Sequence, residues 1–254
     1  MKQSRKEKEN PAESRLALSL PEALDLLQKG QMGDLQLVPW ASNYTFAVPL
    51  TAGDGLSLLA IYKPGEGEVP LWDFPAGTLY KRELAAFLVS GTLGWHLVPP
   101  TVIRTGPHGV GSFQLYIAPD SECDYAALQR EHGDALRQIA LFDALVNNAD
   151  RKAGHCFRAQ DARVWAIDHG LTFHTESKLR TILWDFRGQP IPGGLLSDLK
   201  TFRRRLEESD LRRALLALLE ESEMNALGER LDRLLASPVY PLPPTHHAIP
   251  WPPY

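Results

Sequence analysis

The chain has 254 residues with a formal net charge of −4, 44% hydrophobic and 23% charged. These are the proportions of a globular protein with room for one large domain or two lobes around one cleft. The balance supplies no global basic field for nucleic acid, and no apolar run approaches the roughly 18 residues a membrane span needs.

The start, "MKQSRKEKENPAESR", is polar and charged. It lacks the apolar stretch of a signal peptide, so residues 1–18 read as a disordered leader. "SLPEALDLLQKGQM" reads as a short helix, with Ser19 as its cap and a proline in its first turn. Residues 33–63 read as β: a strand, a polar turn at 41–43, then a hairpin. "YTFAVPL" and "LSLLAIYK" are its strands and "TAGDG" its turn. In residues 77–95, Leu79, Leu84, Phe87, Leu88 and Leu93 approximate one helical face. "PPTVIRTGPHGVGSFQLYIAPD" returns to β. Residues 133–147 form a second strong helix, with Leu136, Ile139, Ala140, Asp143 and Val146 at near-helical spacing. "GHCFRAQDARVWAIDHG" reads as a hairpin turning at "QDAR". Residues 171–195 are irregular, and the stretch from "LLSDLK" to "LLAS" reads as three helices. The tail 238–254 is too rich in proline for helix; it is either a polyproline-type arm packed on the body or loose.

This order predicts an α+β, two-lobed fold. A small β-rich lobe with one helix (19–118) precedes a larger helical lobe (119–237), and ligands bind in the cleft between such lobes. The two cysteines, Cys123 and Cys156, have no metal-type spacing. A reduced, cytoplasmic chain is expected, with their pairing as the alternative.

Four polar residues stand out. Lys63 ends an apolar strand, and either points into the cleft toward a phosphate or reaches solvent at an edge. Glu83 lies inside the first strong helix, where it either holds Lys63 or lies on the surface. Asp150 follows the second strong helix in "LVNNADRKAGHC". Asp168 ends "VWAIDHG", an apolar strand that delivers a carboxylate to a loop or to an ordinary turn. Together they say more than singly. Strand Lys, helix Glu, loop Asp, hairpin, then Asp-x-Gly is the chain order of phosphoryl transfer in the kinase architecture. The 18 residues from Asp150 to Asp168 leave room for one hairpin, which brings both carboxylates to one side of the cleft.

"VWAIDHGLTF" resembles the Ile-Asp-x-Gly-Leu-x-Phe segment of the phosphatidylinositol 3-/4-kinase-like branch of the protein-kinase-like superfamily. "NNADRKAGH" resembles that branch's Asn-x-Asp-Arg catalytic loop. The type II phosphatidylinositol 4-kinases are nearest in local pattern. The whole chain, with its terminal "IPWPPY", also resembles a bacterial family of similar length placed beside these kinases. The resemblance spans roughly residues 33–200. It implies ATP and Mg²⁺ as cofactors, and a protein, lipid head group or small molecule as phosphate acceptor. It makes Asp150 and Arg151 the catalytic-loop pair, Asp168 the metal ligand, and Lys63 with Glu83 the ion pair on the phosphates. It makes "ASNYTF" the phosphate-covering turn, with Ser42, Asn43 and Thr45 as donors. It places a hinge in "QLYIAPD", where backbone groups near Tyr116–Ala118 meet adenine, with Gln114, Tyr116 and Ile117 as the cofactor-binding residues.

Two positions depart from that pattern. His155 stands five residues after Asp150, where the branch carries Asn as a second metal ligand. Imidazole suits Mn²⁺ or Zn²⁺ better than Mg²⁺, so either the metal site is unusual, or a second ion is absent, or activity is low. Lys152 stands where lipid kinases often carry His. A pseudokinase that binds nucleotide or a partner without turnover is therefore the alternative to an active kinase. A third reading, a metal-dependent phosphohydrolase, would gather His155, His169 and His174 with the two aspartates. "FRRRLEE" offers a basic run, but its acids make it a solvated helix face, and no Cys-rich segment supports a stable membrane anchor.

Overall fold

The computed structural model describes residues 18–39, 43–244 and 248–254. Helix α1 (Leu20–Lys29) opens it; Glu22 accepts from Ser19 N (2.8 Å) and from Ser19 Oγ (2.6 Å), which anchors the first turn. The sheet that follows is antiparallel throughout. Its strands are β1 (Gln31–Met32), β2 (Gln36–Leu37), β3 (Phe46–Thr51), β4 (Ser57–Pro64), β5 (Thr101–Gly106) and β6 (Gly109–Leu115). They run in the order β1-β3-β4-β6-β5, with β2 also on β3. The strand expected from "GDLQLVPW" shrinks to the two residues of β2. The hairpin expected at "TAGDG" is β3–β4, in register from Phe46 opposite Tyr62 to Thr51 opposite Ser57.

β4 alternates strictly. Leu58, Ala60 and Tyr62 are buried against Leu26 and Leu27 of α1. Period-two alternation therefore turns Lys63 to the opposite face, where helix α2 (Leu79–Thr92) lies. Beyond β6 come α3 (Tyr125–Glu131), which the sequence reading did not foresee, and α4 (Gly133–Val146). A small hairpin follows, β7 (Cys156–Arg158) with β8 (Val164–Ala166). The remaining helices are α5 (Gly193–Arg205), α6 (Ser209–Leu216) and α7 (Glu221–Ala236).

α4 runs through the middle of the main core. Ile139, Leu141, Phe142, Leu145 and Val146 are completely buried there, with Leu199 and Phe202 of α5 and Leu227 and Leu231 of α7. The architecture is the two-lobed α+β arrangement expected: a curled sheet with α1 and α2, then a helical part. The described residues of the tail are not helical. Pro190 and Val239 form a bridge, Ala248 O accepts from Thr181 N (3.0 Å), and Pro253 O accepts from Ala153 N (2.9 Å). Residues 1–17, and with them nearly all of the expected leader, lie outside the described residues. Both cysteines are free thiols. Among the described residues no helix is long and apolar enough to cross a membrane.

Candidate active site

Four separate elements bring their polar residues to one place. Lys63 Nζ donates to Glu83 Oε1 on α2, and to Asp168 Oδ1 (2.9 Å) in the loop after β8. Burial alone would lower the lysine's affinity for its proton, but the two carboxylates outweigh it and hold the pKa above the ordinary lysine value. The second Glu83 oxygen accepts from His169 N (3.0 Å), so Glu83 ties the sheet lysine to the loop carrying Asp168. The Asp168 side chain stays 45% exposed toward the cleft. Burial opposes its ionisation, yet Lys63 holds its pKa well below the usual carboxylate range. Its backbone is left-handed, φ 60°. Aspartate tolerates that region better than most residues, but it remains uncommon outside turns and functional loops.

The loop after α4 is built from its polar sequence. Asn147 ends the helix in the left-handed conformation, φ 56°. Its amide donates to His174 O (2.9 Å) and Glu176 O (2.6 Å) and accepts from Lys178 N (2.9 Å). Asn148 is fully buried, and its Oδ1 accepts from Asp150 N (2.9 Å), which sets the direction of the Asp150 side chain. Burial raises the Asp150 carboxyl above its ordinary range, against the pull of Lys152, whose Nζ lies 3.1 Å from Oδ2.

Asp150, His155 and Asp168 offer ligand atoms all within 4.8 Å of one another. His155 Nδ1 lies 3.0 Å from Asp150 O. A carbonyl only accepts, so Nδ1 carries the proton and Nε2 turns its lone pair to Asp168 Oδ2, 3.4 Å away. Burial pushes the His155 imidazole down to about 4, against the pull of Asp168, so the ring is neutral at pH 7. The Asp168 carboxylate and the neutral imidazole nitrogen of His155, 3.4 Å apart, are donors that fit a divalent cation, with the Asp150 carboxylate beside them.

Other expected residues are placed differently. Arg151 does not reach the cleft. Its guanidinium is fully buried: Nε and Nη2 pair with the two Asp143 oxygens (both 2.8 Å), and Nη1 donates to Ile167 O (2.8 Å) and His155 O (3.2 Å). Nη2 also donates to His169 Nε2 (2.8 Å). Arg151 thus joins α4 to both site loops, a positioning arrangement instead of contact with a transferred group. Gln114 is buried, and its amide donates to Thr101 Oγ1 (2.9 Å), so that group is engaged within the protein. Tyr116 N donates to Leu59 O (2.9 Å), while the Ile117 N–H takes no acceptor among the described residues. Asn43 Oδ1 accepts from Val69 N (2.8 Å), which ties it to the segment after β4, and Thr45 Oγ1 donates to Asn43 O (3.2 Å), so both side chains are engaged within the protein. Ser42 lies outside the described residues. The three-histidine cluster does not form: His169 is fully buried on Arg151, and His174 Nε2 meets Asp73 O (2.8 Å).

Sequence reasoning did not assign Asp143 a role, although a signal was present. An acid on the core face of an apolar helix is costly unless paired, and its partner lay eight residues on, at Arg151.

The fold is protein-kinase-like. The Golgi casein kinase with Mn/ADP bound superposes with TM-score 0.56 at 15% identity, covering 85% of this chain and 74% of that one. Hydra Fam20 with sugar gives 0.54 at 14% identity, covering 85% and 87%. The Helicobacter pylori proinflammatory kinase CtkA gives 0.52 at 14% identity, covering 84% and 94%. No protein-family model matches. In sequence, the chain is 41% identical over 262 residues to protein Rv2133c of Mycobacterium tuberculosis (strain ATCC 25618 / H37Rv), covering 89% of this chain and 94% of that protein, and it belongs to that protein's family. It is also 27% identical over 165 residues to phosphatidylinositol 4-kinase gamma 4 of Oryza sativa subsp. japonica, a match covering 58% of this chain and 27% of that protein.

Proposed function

We propose that this protein is an ATP-dependent phosphotransferase acting on an alcohol acceptor. One observation carries the reading: Lys63, Glu83, Asp150, His155 and Asp168 converge from four elements between the two lobes. Asp168 and His155 would hold a divalent cation, which neutralises phosphate charge and fixes the phosphate oxygens. Lys63, oriented by Glu83, adds a fixed positive charge for the phosphates. Asp150 lies beside that site. Its raised pKa brings it closer to a useful base strength, and it accepts the proton of the acceptor hydroxyl. Catalysis is then mainly positioning and preset electrostatics. Adenine is assigned to the backbone of residues 116–118, where the lobe of residues 19–118 meets that of residues 119–237. The imidazole donor favours Mn²⁺ beside Mg²⁺, and the Golgi casein kinase with Mn/ADP bound supports that pairing.

The partial match to the rice phosphatidylinositol 4-kinase supports placing the chain beside the phosphatidylinositol 3-/4-kinase-like branch. The acceptor is a protein, a lipid head group or a small molecule. The free thiols suit the reducing cytoplasm.

The test is ATP turnover and thermal shift with Mg²⁺ and with Mn²⁺. Asp168→Ala should abolish the metal–ATP shift. Asp150→Asn should keep that shift and lose roughly 10²- to 10⁴-fold in turnover. Wild-type turnover by Asp168→Ala would refute the metal assignment. A pseudokinase is the second reading, favoured by His155 at the usual Asn position; it shows as a metal–ATP shift without turnover.

A further inference from the structure

Arg82 precedes Glu83 on α2, so the two side chains leave the helix about 100° apart. Glu83 faces Lys63, whereas Arg82 faces the helical lobe and is 1% exposed. Its Nη1 donates to Thr172 O (2.6 Å), in the segment after Asp168, and its Nη2 pairs with the Glu223 carboxylate of α7. The guanidinium lies over the Phe74 ring, 5.1 Å from its centroid. Two turns further along α7, buried Arg230 donates to Leu145 O (2.8 Å) and to His174 O (3.0 Å). One helix thus holds α2, the segment after Asp168 and the end of α4.

We propose that Arg82 and Glu223 are positioning residues. They form a latch that docks α2 on α7 and keeps Glu83 on Lys63 without any ligand or partner. The catalytic consequence rests on the phosphotransfer reading; the latch itself does not. Withdrawing Glu83 from Lys63 requires α2 to swing or rotate. That movement must first strip Arg82 from Glu223 and from Thr172 O, leaving two charges unpaired in a water-poor interior. Open positions of α2 are therefore disfavoured. The pair is not simply a source of stability, because Arg82 Nε has no acceptor among the described residues, and buried ion pairs often gain little over apolar neighbours. What it determines is the orientation of the helix that carries Glu83.

The experiment is hydrogen exchange on the full chain without nucleotide. The double variant Arg82→Met/Glu223→Leu replaces the pair by apolar groups of similar size, which preserves the fold where single charge removal would not. The expected result is exchange in α2 faster by roughly tenfold or more, with α4 unchanged and the loss confined to that local unit. Arg82→Lys should recover part of the protection. If the double variant does not fold, Arg82→Gln/Glu223→Gln, which also removes both charges together, takes its place and must show the same local acceleration. Unchanged α2 exchange in a folded variant overturns the latch. In an ATP assay the folded variant should lose kcat with KM for ATP little altered. Absence of turnover in the wild type counts against the phosphotransfer reading alone, while the exchange pattern of the nucleotide-free protein decides the latch.

Discussion

Replacing Asp143 with alanine would leave Arg151 charged and stranded at the centre of the helical core. Asp143 and Arg151 both have side chains with 0% exposure. The substitution removes two charge-assisted contacts to the guanidinium, each 2.8 Å, and leaves Asn148 Nδ2, now 2.9 Å from Asp143 Oδ1, without that acceptor. Arg151 keeps the carbonyls of Ile167 and His155 and the nitrogen of His169. Those neutral acceptors do not balance its charge. Breaking a buried pair from one side costs about 3–5 kcal/mol. For a chain of this size that corresponds to roughly 6–20 °C in Tm. Thermal unfolding followed by circular dichroism measures it, with urea denaturation as a check. The control is Asp143→Leu/Arg151→Met, which removes both charges and should fall within about 2 kcal/mol of wild type. A Tm for Asp143→Ala within about 2 °C of wild type would refute this account of the network, because a core charge cannot lose its directly paired carboxylate at so small a cost. A double variant as unstable as the single would refute it too, by showing that volume and not charge sets the penalty.

Cys156 makes stability depend on alkaline pH. Burial pushes its thiol up to about 12 from about 9. Between those values the unfolded chain loses the proton and the native state keeps it, so this contribution is complete below about pH 9 and is lost as pH rises toward 12. The limit is roughly 4 kcal/mol at 1.36 kcal/mol per unit. Urea midpoints from pH 8 to 11 should fall less steeply for Cys156→Ala; parallel slopes would contradict the assignment. Gly111 pairs with Pro64 on β4, and a Cβ there would overlap the Lys63 carbonyl oxygen and lie 2.7 Å from Pro64 Cα. Both are backbone atoms with little freedom to move aside. Gly111→Ala should cost about 1–3 kcal/mol or more, as overpacking does, and should loosen the sheet where it presents Lys63. An unchanged denaturation midpoint would mean that β4 and β6 do not approach so closely.

Much of the fold was legible because its signals are local. The "TAGDG" turn, the period-two pattern of β4 and the helical spacing in residues 133–147 each lie within one element. They emerge as β3–β4 and α4 with small shifts at the ends. α3 escaped notice because seven residues are too few to display a period. The site was legible as an order of residues along the chain. Lys63, Glu83, Asp150 and Asp168 could be named one by one, and the structure gathers them. Which side chains would face inward was less legible. Asn43, Thr45 and Gln114 are polar residues in suggestive places, yet each is engaged by a partner within the protein.

The sequence by itself determined the alternation that turns Lys63 away from α1, the asparagine that can end α4 in a left-handed turn, and the spacing that fits a hairpin between the two aspartates. These are properties of neighbouring residues, and neighbours decide backbone conformation. Only the tertiary structure decided that Arg151 serves Asp143 and not the cleft, that His155 offers Nε2 because Asp150 O takes Nδ1, and that Arg82 and Glu223 meet across 141 residues of chain. Each of those outcomes depends on which groups lose water together. That is set by the packing of distant elements, and no local pattern records it.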